Sequence, residues 1–285
     1  MVNIINAIIN LISNPILSLN NDSAVYRNRA NNMGEALEEY IKDLFANTLE
    51  VSTPERLEKQ SNLFSYKGNQ NNPPDFMIKG GDAIEVKKIE TKCGSISLNS
   101  SYPKHKLYST SQMITKDCRV CEEWTEKDII YAVGEMDKKT KTLRALSFVY
   151  GEDLAATEDI YERIILKIKK GILNIPDMEF NETKELGRVN RVDPLGVTYL
   201  RIRGMWGIEN PFKVFNYILE KDIQQEASFS LIAVINERKW KTFDNTKELE
   251  KVIKSTKGAS LSKVKIKNPN NPSELKPAYL IQFNI

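Results

Sequence analysis

The chain has 285 residues, 41% hydrophobic and 28% charged, which is the make-up of a globular protein long enough to bury a large core as one elaborated α/β domain or two intimate lobes. Its 41 basic and 38 acidic residues leave a net charge of +3, which neither demands nor excludes a nucleic-acid partner, because clustering decides. No apolar run approaches the roughly 20 residues of a membrane span, and three cysteines, an odd number, point to a reducing cytoplasm.

The start lacks the basic segment of a signal peptide. Ile4, Ile5, Ile8, Ile9 and Ile12 form a helical stripe and predict an amphipathic helix over 3–13. A polar Asn/Asp/Arg-rich loop leads to a second helix over 33–47, with Leu37, Ile41, Leu44 and Phe45 on its apolar face. Residues 48–72 are expected to be partly helical and then a loop, and 69–74 (Asn-Gln-Asn-Asn-Pro-Pro) are strongly turn-forming. Gly80-Gly81 is a two-residue hairpin signal, since both positions accept positive φ, and it predicts antiparallel strands over 76–79 and 82–88.

Residues 93–112 are polar and include Asn99, Ser100, Ser101, Tyr102, Lys104, His105 and Lys106. They suit contacts to phosphates or base edges, or form a solvated loop. Strands are predicted over 128–134 and 143–150, around a Lys-rich turn. A helix over 157–171 is expected to turn Ile160, Ile164, Ile165 and Ile168 inward and Lys167, Lys169 and Lys170 to solvent. Helices over 211–221 and 245–255 and strands over 228–236, 262–268 and 278–284 complete the chain. The pattern predicts an α/β fold, a mixed central β-sheet flanked by helices. No internal repeat occurs, and no phosphate-binding glycine loop, which argues against an ATP-driven enzyme.

The chemistry concentrates in residues 73–88. Asp75 precedes Glu85 by ten residues, and Lys87 follows two later. On the second strand Ala83, Glu85 and Lys87 share one face, and Ile84, Val86 and Lys88 the other. A two-residue hairpin puts Phe76, not Asp75, opposite Glu85, so a bulge or strong twist is expected to re-aim Asp75. Two carboxylates provide hard oxygen ligands for a divalent cation, and a neighbouring lysine can orient water and stabilise developing negative charge. The plain alternative is an amphipathic hairpin with solvated charges. Cys118 and Cys121 are half a zinc site that Cys93 and His105 can complete only at irregular spacing, so adventitious thiols are the preferred reading.

Residues 184–207 hold Arg188, Arg191, Arg201 and Arg203, interleaved with Asn190, Tyr199 and Trp206. On a strand Arg201 and Arg203 face one way. Arginine is the preferred bidentate reader of guanine O6 and N7, so this cluster is a candidate DNA contact. The alternative is pairing with Glu182, Glu185, Asp193 or Glu209.

The hairpin pattern resembles the proline-aspartate, spacer, acid-x-lysine motif of the magnesium-dependent PD-(D/E)xK nuclease superfamily. Those nucleases often carry a glycine-x-x-apolar-glutamate helix, which here makes Glu38, beside Leu37, a further candidate at the metal site. Glu39 is the competing choice, and both can be ordinary helix glutamates. More specifically, the whole chain resembles NgoPII-type type II restriction endonucleases. The likeness rests on Asn-Ile-Ile-Asn-Ala-Ile-Ile-Asn at the start, Leu-Glu-Glu-Tyr-Ile-Lys-Asp-Leu-Phe, Asn-Pro-Pro-Asp, Asp-Ala-Ile-Glu-Val-Lys-Lys-Ile-Glu and Leu-Asn-Ser-Ser-Tyr-Pro-Lys. It continues through Trp-Thr-Glu-Lys-Asp-Ile-Ile-Tyr-Ala-Val-Gly, Arg-Val-Asp-Pro-Leu and Arg-Gly-Met-Trp-Gly-Ile-Glu-Asn-Pro-Phe.

The resemblance implies a bacterial, cytoplasmic enzyme that cuts double-stranded DNA at the palindrome GGCC, with Mg2+ as cofactor and Mn2+ as a substitute. It implies Asp75, Glu85 and Lys87 as catalytic residues, with Glu38 in support, and Asp75, Glu85 and Glu38 at the metal. A single restriction-endonuclease domain over 1–285 is expected, with the catalytic core in about 30–175 and DNA recognition in about 176–285. A homodimer is the simplest reader of a palindrome. A cognate DNA methyltransferase is expected in the same system, but not as a stable partner.

Overall fold

A computed structural model describes residues 1–19, 33–69, 72–111, 113–183, 185–219 and 227–285. Most of the polar loop predicted after the first helix, together with Gln70, Asn71 and Lys184, lies outside the described residues.

The first half runs α1 (Ile4–Ser13), α2 (Met33–Ala46), α3 (Thr53–Leu63), β1 (Phe64–Asn69), β2 (Asn72–Ile78), β3 (Ala83–Ile89), β4 (Ile96–Ser97), β5 (Lys106–Tyr108), α4 (Lys116–Val120), β6 (Glu126–Met136) and β7 (Leu143–Tyr150). The second runs α5 (Gly151–Leu154), α6 (Glu158–Leu173), β8 (Glu179–Asn181), β9 (Gly187–Asn190), β10 (Leu200–Ile202), β11 (Gly207–Ile208), α7 (Pro211–Val214), β12 (Ser230–Asn236), α8 (Glu237–Trp240), α9 (Thr246–Ser255), β13 (Ala259–Asn268) and β14 (Asn271–Asn284).

Among the described residues one mixed sheet dominates, in the order β1-β2-β3-β6-β7-β12-β14-β13, with β5 paired to the start of β6. β3 and β6 are parallel, as are β7 and β12; the other neighbours are antiparallel. The expected mixed sheet flanked by helices is thus present. Strand alternation divides the core. Ile84, Ile130, Ala132, Phe148, Leu231 and Ala233 face α1, α2 and α9, where Ile4, Ile8, Leu11, Leu37, Ile41 and Phe45 are buried. Ala83, Ile129, Tyr131 and Val133 face the other way, toward the segment around β4 and β11. The late residues split: β12, β13 and β14 complete the central sheet, whereas β8, β9 and β10 form a separate three-stranded sheet.

α1 is fixed by its cap. The Asn3 side chain accepts from the Ile5 N–H at 2.8 Å, and Asn6 Oδ1 accepts from the Asn3 N–H at 3.0 Å. Asn3 Nδ2 also donates to Asn245 Oδ1, joining α1 to the start of α9. Asn3→Ala should therefore destabilise the protein by ~1–2 kcal/mol. A urea titration checks this, and an unchanged midpoint would show that the cap is dispensable.

Three predicted elements differ. Within 48–72, expected to be partly helical and then a loop, residues 64–69 form β1; Phe64 and Tyr66 are buried, and the polar run Lys67-Gly68-Asn69 after them hides the strand. The helix expected over 211–221 is helical only in α7, with turns after it up to the described limit at 219. α6 forms over the predicted span, but its stripe is not buried: Ile164 and Ile168 are each 42% exposed. Helical periodicity records amphipathicity; it does not say whether this chain covers the apolar face.

Candidate active site

The connection between β2 and β3 sets the site. The Gly81 N–H donates to Ile78 O at 2.9 Å, the Ile78 N–H to Asp82 O at 3.0 Å, and Gly80 has φ of +65°. Only Gly80 uses the left-handed region, and the loop holds three residues, not the expected two. Phe76 therefore pairs with Ile84, and Met77 with Ala83. This one-residue shift brings Asp75 level with Glu85, on the same face. The longer loop re-aims Asp75 without a register shift between the paired residues of β2 and β3.

Asp75, Glu85 and Lys87 line one cleft of about 570 Å³. The Val86 N–H donates to Asp75 Oδ2 at 2.6 Å, and Lys87 Nζ stands 2.5 Å from Glu85 Oε1. Burial, with the Glu85 charge second, pushes the Asp75 carboxyl well above the usual aspartate range. Burial opposes the Lys87 ammonium, but Glu85 and Asp75 outweigh it and hold its pKa above the ordinary lysine value. Glu85 Oε2 is buried with no hydrogen-bond partner. An orphaned, buried carboxylate oxygen beside a second, half-buried carboxylate is a donor set that fits a hard divalent cation.

Glu38 is not among the cleft-lining residues. Its carboxylate binds Lys42 Nζ at 2.6 Å, although its charge is felt at Asp75 and Lys87. Glu39 is bound elsewhere, to Lys42 at 3.0 Å and Arg56 at 2.6 Å. Among the described residues no group of three His, Cys, Asp or Glu side chains converges closely enough to hold an ion. That includes the cysteines. Cys118 is buried against Met77, Cys121 Sγ donates to Cys118 O, and His105 Nδ1 contacts Ala155 O.

The opposite wall comes from two distant segments. Asn99, Ser100, Ser101, Tyr102 and Lys104 all line the cleft, and so does Arg203. Tyr102 stacks on Tyr161 of α6 at 5.2 Å between ring centroids and meets Trp206 edge-on at 6.1 Å. Lys104 is buried, with its ammonium 3.7 Å from the Tyr102 ring centre and 3.6 Å from Glu158, and burial lowers its pKa. β4 and β11 pair, the Leu98 N–H donates to Trp206 O, and the Trp206 N–H donates to Asn99 O. The polar loop is thereby fastened to the arginine-rich segment.

Arg201 and Arg203 share a face as expected, and both bind Glu185. Arg188 sits opposite Arg201 on β9 and stacks on Tyr199 at 3.7 Å. Arg191, at positive φ, pairs with Glu179 at 3.5 Å; of the four arginines only Arg203 lines the cleft, and Arg188, Arg191 and Arg201 do not. Sequence reasoning missed Tyr131 and Met205 as lining residues. Tyr131 was recoverable from parallel register, since it pairs with Glu85; its hydroxyl accepts from the Lys104 N–H at 2.6 Å.

The NgoPII restriction endonuclease family matches residues 2–267. The Type II restriction enzyme NgoPII of Neisseria gonorrhoeae is 52% identical over 283 residues, which span 99% of this chain and 100% of that protein. No solved structure gives a significant match. The likeness runs through the hairpin that carries the two carboxylates, the loop facing it and the arginine-rich strands, and on that extent the chain belongs to the NgoPII restriction endonuclease family.

Proposed function

We propose that this type II restriction endonuclease cleaves double-stranded DNA at GGCC, using Asp75, Glu85 and Lys87 with magnesium. Sequence-specific DNA cleavage follows from family membership, and such enzymes are generally divalent-metal dependent. The observation that carries the catalytic assignment is the convergence of Asp75, Glu85 and Lys87 in a single cleft whose far wall presents Arg203 and the polar loop at 99–104.

Asp75 and Glu85 would hold the cation, with Glu38 supporting the site through its charge. When bound, the cation supplies Lewis-acid stabilisation of the charge that builds on the phosphate and makes water more acidic. Lys87 donates toward the attacking water and the phosphate oxygens, offsetting negative charge as the bond to the leaving oxygen breaks. Glu85 keeps Lys87 aimed into the cleft. Asn99, Ser100, Ser101, Tyr102 and Lys104 form a rim toward the DNA backbone. Arg188, Arg191, Arg201 and Arg203 supply backbone and base contacts, so recognition centres on about 179–208.

A palindrome calls for a two-fold homodimer with one active site per strand. The two cut phosphates of a four-base-pair site lie close together, so the protomers would touch near their clefts; α6, whose Tyr161 stacks on the cleft residue Tyr102, carries exposed Ile164, Leu166 and Ile168. Among the described residues no helix is long and apolar enough to cross a membrane. We place the enzyme in the bacterial cytoplasm, alongside a methyltransferase that protects the same sequence without binding it stably.

The test is a plasmid digest with magnesium, the ends mapped by sequencing, with sedimentation of the uncut complex in calcium. Discrete fragments ending within GGCC and two protomers per site are expected. Ends at another sequence contradict the site, a smear contradicts specificity, and one protomer per site contradicts the dimer.

A further inference from the structure

Glu185 lies on the far wall of the cleft and takes no part in the chemistry above. Its carboxylate is 10% exposed and accepts from three donors. Ser100 Oγ reaches Oε1 at 3.1 Å, Arg201 Nε reaches Oε2 at 2.9 Å, and Arg203 Nε reaches Oε1 and Oε2 at 2.9 and 3.0 Å. The Arg203 and Ser100 hydrogen bonds outweigh burial and hold its pKa below the usual glutamate value.

The mode of binding is informative. Both arginines are held through Nε. Among the described residues neither guanidinium makes a hydrogen bond through its Nη groups, and the side chains are 55% and 56% exposed. The free Nη edge is a two-donor fork, and it can match the paired acceptors O6 and N7 of guanine. Spacing agrees. Alternate residues on a strand stand roughly 6.6 Å apart, whereas successive bases on one strand rise about 3.4 Å. A carboxylate shared at about 3 Å by both Nε atoms draws the forks together, toward the spacing of stacked bases.

We propose that Glu185 is a positioning residue for sequence reading: it holds Arg201 and Arg203 so that each fork meets one of two adjacent guanines. The proposal rests on the GGCC reading, whose half-site contains such a pair. An ordinary surface ion pair contributes little and would carry no information about bases.

The test measures binding in calcium buffer at fixed salt. It uses a GGCC duplex, duplexes with 7-deazaguanine at the first or second guanine, and a scrambled duplex. With the wild-type chain each replacement removes one acceptor and should weaken binding several-fold, up to ~10-fold. Arg201→Lys and Arg203→Lys keep the charge beside Glu185 but lose the fork, and each should abolish the penalty at one guanine only. Glu185→Ala should abolish both penalties while leaving affinity for the scrambled duplex equal or higher, since it removes a negative charge near the DNA. Glu185→Gln should restore part of each penalty.

Full retention of both penalties in Glu185→Ala, or in both lysine variants, overturns the proposal. So does an equal loss of specific and non-specific affinity, which is the mark of a merely structural glutamate. Should Glu185→Ala fail to fold, the lysine variants decide alone. The cleavage site is mapped first with wild-type protein. A site other than GGCC that still holds adjacent guanines overturns only that reading, and the same replacements there decide the proposal; a site without adjacent guanines overturns both.

Discussion

In excess EDTA the protein should cut no DNA, and added magnesium or manganese should restore cutting. The expectation comes from the floor of the cleft. Asp75 and Glu85 sit level on paired strands, burial and the neighbouring charge raise the Asp75 carboxyl, and Glu85 Oε2 has no partner. Two neighbouring carboxylates, one buried and one half-buried, are unfavourable without a cation and well matched to one with hard-oxygen preference. Calcium, with a larger and looser shell, should support DNA binding but little cleavage. The measurement is the rate of plasmid linearisation in each ion. Undiminished cutting in EDTA would remove the metal from the mechanism.

Lys87→Ala should lower the cleavage rate by ~10²-fold or more, the scale expected when a donor to developing charge is lost. Its ammonium is held by Glu85 and lies in the same cleft as Asp75. DNA affinity should change little, because one contact is a small part of a large interface. Single-turnover rates, with binding measured in calcium, separate the two effects. A near-normal rate would reduce Lys87 to a solvated strand residue.

Much of this was legible in the sequence, for identifiable reasons. The catalytic hairpin announced itself because Glu85 and Lys87 alternate with Ile84 and Val86, and period-two patterning survives folding directly. The register is not legible, because Gly80-Gly81 reads as the pair of central turn positions, whereas Gly81 closes the turn on Ile78. β1 escaped notice because Ser65, Lys67, Gly68 and Asn69 break the apolar run. The common face of Arg201 and Arg203 is readable from their spacing, but the spacing leaves four acids open as their partner. Only the tertiary structure selects Glu185, since it depends on the path between β8 and β10. The docking of the 99–104 loop against Trp206 is likewise set by contacts a hundred residues apart.

That docking bears on how such an enzyme can be re-engineered. Residues 96–104 and 185–208 are stapled by the β4–β11 ladder, by the reciprocal bonds around Trp206 and by Ser100 on Glu185. The two stretches form one cassette divided in the chain. Transplanting the arginine strands alone into a related scaffold would strand the Trp206 side of the ladder and leave Ser100 facing a foreign partner. Chimaeras that exchange both stretches together are the ones expected to carry a new target sequence intact, and libraries built on a single contiguous segment would sample mostly broken walls.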